Sequence, residues 1–229
     1  MKIPDQALRR IQLLIFDLDG TLLDTKTDLA LSVNAAREQM GLGPLPHELV
    51  ASYVGQGVTI LMRRALGNQA TDQEVERAIS IFMEYYRLHM LDHTVVYPGV
   101  REALDELRDR KMAVLTNKPV NFSRDMLARL EIAPYFSFIY GGNSFPQKKP
   151  DPFGVRKLMG DLEASAGETL IVGDSDTDVL TGRNAGVWTC GVRYGFGAGT
   201  LENTPPDLLI DDLRDLARLL NGKTGRGAA

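Results

Sequence analysis

Cysteine is almost absent from this sequence. Cys190 is the single one, so no intramolecular disulfide can form, and a reducing, cytoplasmic setting is the simplest expectation. Nothing around that thiol points to nucleophilic catalysis. Long apolar runs are missing as well: no stretch approaches the roughly 20 residues of a membrane span. Residues 1–12, with Pro4, Asp5, Arg9 and Arg10, lack the apolar core of a secretory signal. An excess of positive charge is the third absence. With 26 Lys and Arg against 30 Asp and Glu the net charge is −4, and the isoelectric point is near 5.5. That balance offers no basic footprint for nucleic acid or an anionic membrane, so an anionic ligand must be held by local positive charge.

What is present is ordinary globular composition, 44% hydrophobic and 24% charged, which over 229 residues can bury one sizeable core plus a smaller unit. Leu13-Leu14-Ile15-Phe16 reads as a strand buried on both faces, and it empties abruptly into Asp17-Leu18-Asp19-Gly20-Thr21. Ligands of open α/β sheets collect beyond the carboxyl ends of strands, where Gly20 would allow a tight turn and let N–H groups approach an anion. A plain Asp-Gly turn with solvated aspartates uses the same residues. On these residues alone both readings stand.

The period then becomes helical. Leu29, Val33, Ala36 and Met40 mark one face of a helix that stops at Gly41, and Pro44 and Pro46 restart the chain into a short helix. Gly55-Gln56-Gly57 breaks it, the pattern predicts a helix over 58–66, and Thr71 with Glu74 has the spacing of a capping box ahead of Val75, Ile79, Phe82 and Tyr86. Beyond Tyr97-Pro98-Gly99, short apolar runs at 112–115, 138–140, 169–172, 187–190 and 208–210 alternate with helical segments. The expected fold is therefore α/β, a doubly wound parallel sheet with a Rossmann-like core (residues 1–24 and 95–229) and an inserted all-helical cap domain (25–94). Residues 221–229 read as a frayed tail.

Three later strand ends carry chemistry-bearing residues. Thr116-Asn117 follows the run at 112–115, where an ordinary helix cap and an anion site are both open. Lys148-Lys149-Pro150 could be a solvated charge pair. Gly173-Asp174-Ser175-Asp176-Thr177-Asp178 places three aspartates in five residues, more than capping explains.

Taken in order, D-x-D-G-T, Thr-Asn, Lys-Pro and G-D-S-x-x-D resemble the four motifs of the haloacid dehalogenase-like hydrolases, and the resemblance covers nearly the whole chain. It implies a nucleophile at Asp17, an acid–base residue at Asp19, phosphoryl contacts from Thr116, Asn117 and Lys149 (Lys148 as the fallback), and support from Gly20, Thr21, Ser175 and Asp178. It also implies Mg²⁺ held by Asp17, Asp19 through its carbonyl, and Asp174. Oxygen ligands suit that hard cation, and carboxylates gathered this closely repel one another without one.

Dehalogenases of the family lack an acid at the position of Asp19, which points to phosphate esters. Mutases carry a histidine early in the cap, and none stands over 25–40. Tyr53-Val54-Gly55-Gln56-Gly57-Val58 and Gly191-Val192-Arg193-Tyr194-Gly195 are similar to the phosphoglycolate phosphatase-like subgroup. The partner implied is a small phosphorylated metabolite met through the loop Gly55-Gln56-Gly57, with neither nucleic acid nor membrane involved and with a monomer or homodimer both open. Other small phosphate esters, a sugar phosphate or pyrophosphate, and a receiver-like regulatory domain are the alternatives. Three weaker signals are set aside: Gly222-Lys223-Thr224 lacks the first glycine and preceding strand of a P-loop, His89 and His93 read as a helix-end pair facing solvent, and Gly195-Phe196-Gly197 reads as a flexible loop.

Overall fold

Four successive apolar side chains with no solvent contact require a strand covered on both faces. The computed structural model, which describes residues 3–222, has such a strand, β1 (Leu13–Phe16), after a one-turn helix α1 (Asp5–Leu8). Of the expected tail, residues 223–229, with Lys223 and Thr224, lie outside the described residues. Asn221 is described and is not frayed: its side chain donates to the Glu106 carbonyl at 3.1 Å and accepts from Arg110 at 2.9 Å.

From β1 the chain runs through residues 17–22 into β2 (Leu23–Asp24) and then four helices, α2 (Lys26–Gln39), α3 (His47–Ala51), α4 (Val58–Leu66) and α5 (Asp72–His89). It returns along β3 (Val95–Val96), which pairs antiparallel with β2. There follow α6 (Val100–Glu106), β4 (Lys111–Leu115), α7 (Val120–Arg129), β5 (Phe138–Tyr140), α8 (Phe153–Asp161), β6 (Thr169–Gly173), α9 (Asp176–Ala185), β7 (Trp188–Val192), β8 (Leu208–Ile210) and α10 (Leu213–Leu220). The six long-range strands form one sheet in the order β5-β4-β1-β6-β7-β8, every neighbouring pair parallel. The fold is thus the doubly wound α/β sheet expected. Successive connections run outward on one side of β1 and then on the other, so the chain reverses direction at β1, the place where ligands of such sheets bind.

The period of two along β1 divides the core. Leu14 and Phe16 join a large apolar cluster that continues into α2, α4 and α5, whereas Leu13 and Ile15 pack with Ala113, Leu115, Val155, Leu158 and Ile171 on the opposite face. Within the helical segment, α2 packs along α5 through Leu29, Val33 and Ala36 against Val75, Ala78, Phe82 and Tyr86. The expected capping box starts α5, Thr71 accepting from the Glu74 amide while Glu74 accepts from that of Thr71. Among the described residues no helix is long and apolar enough to cross a membrane.

Two local features escape the sequence pattern. The ribbon β2/β3 is only two residues deep, too short for periodicity to register. Beside it the buried Asp28 of α2 accepts from the amides of His93 and Thr94 and from the Thr94 hydroxyl, at 2.8–3.1 Å, and contacts His93 Nδ1 at 2.8 Å. His93 therefore holds a buried carboxylate, while His89 at the end of α5 turns instead to Asp92 at 2.7 Å; both rings face solvent as expected, each tied to a different aspartate. Asp28→Ala would strand several buried donors at once and is expected to cost roughly 3 kcal/mol in urea unfolding.

Candidate active site

The ends of β1, β4 and β6 lie side by side, Phe16 being level with Val114 and Val172, so the polar residues that follow them converge. Asp17 continues the ladder, its amide donating to the Val172 carbonyl at 2.9 Å. One carboxylate oxygen from each of Asp17, Asp174 and Asp178 falls within 4.8 Å of the others, and all three residues are buried. The cation among them is Lys149, whose Nζ lies 2.6 Å from Asp178 Oδ1 and 2.9 Å from Asp17 Oδ1. Geometry thus separates the two lysines: Lys148 Nζ lies instead beside Gly57, 3.6 Å from where a Cβ would stand there.

Three carboxylates against one ammonium leave surplus negative charge in a desolvated site. Burial, only partly offset by Lys149 and reinforced by Asp178, pushes Asp17 up to about 6. Burial together with Asp178 and Asp17 lifts Asp174 well above the usual carboxylate range. For Lys149 burial acts downward, but Asp17 and Asp178 outweigh it and the ammonium is held charged. Asp17 Oδ1, although close to Lys149, receives no aligned hydrogen bond and is an orphaned buried acceptor. Hard oxygen donors, an unsatisfied lone pair and excess negative charge suit a hard divalent cation.

The turns are shaped around this cluster. Gly20 has φ +83°, and a Cβ there would collide with the Asp174 carboxylate, so no other residue fits without rearrangement. Ser175 and Asp178 form the capping box that opens α9, which fixes the Asp178 carboxylate behind Lys149. Gly195 packs against Asp174, and the Gly197 amide donates to Asp174 Oδ2 at 2.7 Å. The stretch 195–197, expected to be a flexible loop, therefore closes on the acid cluster.

Asp19 stands apart. Its carboxylate accepts from the Thr25 hydroxyl at 2.8 Å and from Lys118 Nζ at 3.0 Å. Thr116 is buried at the cleft floor, four residues before α7 and not at its cap, and its hydroxyl accepts from the Lys118 amide. Asn117 uses its whole side-chain amide as a brace: Nδ2 donates to the carbonyls of Gly55 and Lys149, and Oδ1 accepts from the Lys149 amide. Any anion contact from Asn117 falls to its backbone. Thr21 buries a hydroxyl without a side-chain partner, and its carbonyl accepts from Tyr194.

A cleft of about 650 Å³, open to solvent, lies over the site. Asp17, Asp19, Thr116, Lys118, Asp174 and Ser175 form its polar floor, while Leu29, Val54, Val58, Leu61, Phe82 and Phe122 supply apolar walls. Of the expected loop Gly55-Gln56-Gly57, only the glycines face the cleft. Gln56 is exposed and accepts from Arg64, because the positive φ of Gly55 and Gly57 turns the intervening side chain outward. Lys118 and Tyr86 were not singled out by the sequence. A tyrosine on the buried face of α5, next to Phe82, asks for a hydroxyl partner, and that was the available signal.

The family model described as haloacid dehalogenase-like hydrolase matches residues 14–192. A phosphoglycolate phosphatase of Pseudomonas fluorescens (strain Pf0-1) is 43% identical over 217 residues, 90% of this chain and 78% of that protein. Another, from Neisseria gonorrhoeae (strain ATCC 700825 / FA 1090), is 38% identical over 92% of this chain and 93% of its own length. Among solved structures, one described as a predicted phosphoglycolate phosphatase from Haemophilus somnus 129PT superposes with a TM-score of 0.87 at 31% identity, covering 92% of this chain and 98% of that one.

Raised carboxyl pKa values give the cluster a stability signature. Asp174 ionises less readily in the folded chain than in the unfolded one, so its charge at neutral pH weakens the fold. Asp174→Asn is expected to raise the melting temperature of the cation-free protein and to abolish the further rise on adding Mg²⁺. In the unsubstituted protein, protons compete with the cation for Asp17 and Asp174. The Mg²⁺-induced rise should therefore grow between about pH 5 and about pH 8, as thermal denaturation at stepped pH would show.

Proposed function

The chain belongs to the haloacid dehalogenase-like hydrolases, and we propose that within that family it is a Mg²⁺-dependent phosphatase hydrolysing 2-phosphoglycolate to glycolate and phosphate. The observation that carries this reading is the orphaned Asp17 Oδ1 at the strand end, flanked by Lys149 and within a ligand's reach of Asp174. A carboxylate so placed is a nucleophile in waiting: beside a charged lysine, short of hydrogen bonds, and on the floor of the cleft.

In the first step an Asp17 carboxylate oxygen bonds to phosphorus as the phosphorus–ester bond breaks, and Asp19 gives its proton to the departing glycolate oxygen. In the second, water attacks the phosphorus of the aspartyl-phosphate, Asp19 takes the water's proton, and phosphate leaves as the Asp17 carboxylate is restored. Such acid–base help is typically worth about 10²–10⁴-fold. Thr25 and Lys118 aim the Asp19 carboxylate, Lys149 and the Thr116 hydroxyl receive phosphoryl oxygens, and Asp178 and Ser175 fix Lys149. Bound to Asp17, Asp174 and the Asp19 carbonyl, Mg²⁺ would offset the charge of the phosphoryl oxygens.

Substrate choice rests on residues 25–94, which we read as a cap over the strand ends. The start of α4 at Gly57 has no side-chain cap, so its free amides and dipole favour an anion beyond the phosphate. The six apolar wall residues offer no partner to sugar hydroxyls, which weighs against sugar phosphates. A proton-shuttling histidine, as in the mutases, is absent from α2.

Asp17→Asn is expected to fold normally and to lower phosphate release by at least about 10³-fold; a tenth of the activity remaining would remove it as nucleophile. Ca²⁺, with its longer bonds and higher ligand number, is expected to inhibit the Mg²⁺-supported reaction in a steady-state competition assay. For the substrate, kcat/KM for 2-phosphoglycolate should exceed that for ethyl phosphate and glucose 6-phosphate by at least about 100-fold. Parity with ethyl phosphate, or a tenfold preference for the sugar phosphate, would end the phosphoglycolate reading and leave the phosphatase intact.

A further inference from the structure

Of the side chains lining the cleft, one is cationic, Lys118. Its ammonium is buried, with 4% of the side chain exposed, and lies 4.5 Å over the ring of Tyr86. An ammonium has three protons. It donates to the Tyr86 hydroxyl at 2.7 Å and to both Asp19 oxygens, at 3.0 and 3.3 Å; the 3.3 Å contact is the longest of the three, and the side chain borders the cleft. Burial alone would strip this lysine of its charge, but Asp19 and Tyr86 overcome that and keep it protonated.

We propose that Lys118 is a specificity-determining residue that binds the substrate's carboxylate, steadied in place by Tyr86 of the helical segment. The proposal rests on the phosphoglycolate reading above and assigns its second anion to a particular atom, Lys118 Nζ. The distances carry it. To protonate the ester oxygen, Asp19 must lie about 3 Å from it, and Lys118 Nζ is 3.0 Å from the same carboxylate. In 2-phosphoglycolate a single methylene separates the ester oxygen from the carboxylate carbon. An acid group that near the ester oxygen falls within contact of Nζ and replaces the long contact to Asp19 Oδ2, whereas a longer acid would overshoot into the apolar walls. Those apolar walls lower the local polarity, which strengthens an ion pair formed there.

The competing role, a lysine that merely orients Asp19, predicts equal losses on every phosphate ester. The experiment therefore compares 2-phosphoglycolate with ethyl phosphate, which shares the ester and lacks the acid. Because Lys118 also aims Asp19, Lys118→Met is expected to lower kcat/KM for both esters, but for 2-phosphoglycolate at least about tenfold more than for ethyl phosphate. Lys118→Gln, which keeps a donor for Asp19 without the charge, should give the same asymmetry and serves if the methionine variant does not fold. Calorimetry in the inactive Asp17→Asn background removes acid–base effects: adding Lys118→Met should weaken 2-phosphoglycolate binding at least about tenfold and leave ethyl phosphate within about threefold. Equal losses on the two ligands would overturn the proposal and leave Lys118 a positioning residue for Asp19. Absence of any preference in the unsubstituted enzyme would overturn it together with the phosphoglycolate reading, an outcome visible before any substitution is made.

Discussion

Three buried carboxylates around one ammonium set the terms for everything near the centre of this molecule. Asp17, Asp174 and Asp178 share Lys149, and the arrangement is unfavourable in isolation, as the raised pKa values of Asp17 and Asp174 show. A protein tolerates such a cluster when the surrounding fold is rigid enough to hold it. Here the rigidity comes from parallel strands with fully buried side chains on both faces, from the α9 capping box, and from glycines that let backbone close on the acids. The stored repulsion is also what makes the site receptive to a cation and to a phosphoryl group held beside it.

Around that centre a second polar network joins the sheet to the helical segment. Asn117 reaches the Gly55 carbonyl and Lys118 reaches Tyr86, so two consecutive residues after β4 each hold a different part of the helices over the strand ends. Asp19 is tied into the same network through Thr25 and Lys118. The residue proposed to move protons is thereby held by one group from the start of the helical segment and one from the sheet, and its aim depends on both.

How much of this could be read from the sequence follows from the range of each signal. Strand ends were legible because three or four apolar residues in a row, as at Leu13–Phe16 and 170–172, stop at charged or small residues, and the helix at Val58–Leu66 was bracketed by glycines. The choice of Lys149 over Lys148 came from the family motif, and only three dimensions show why, since its partners lie 29 and 132 positions away. Lys118 stayed invisible for the same reason. A lysine in a Thr-Asn-Lys-Pro turn carries no local mark of burial, and its partners are 99 and 32 positions distant. Gln56 failed in the opposite way: the loop was found, but the direction of one side chain is set by backbone angles that residue type does not specify.

The two-residue ribbon β2/β3 has an architectural consequence. Where the chain leaves the sheet layer at Leu23–Asp24 and where it comes back at Val95–Val96, the two backbones are hydrogen-bonded neighbours, about 5 Å apart. A segment whose two ends are already clasped together makes no demand on the spacing of the strands it interrupts. The sheet needs only the clasp. What is strung between its ends, four helices in this chain, is free to vary in length and in kind during descent while the strand ends beneath keep their chemistry, so one hydrolytic centre can be refitted for new molecules by exchange of a single continuous stretch of gene.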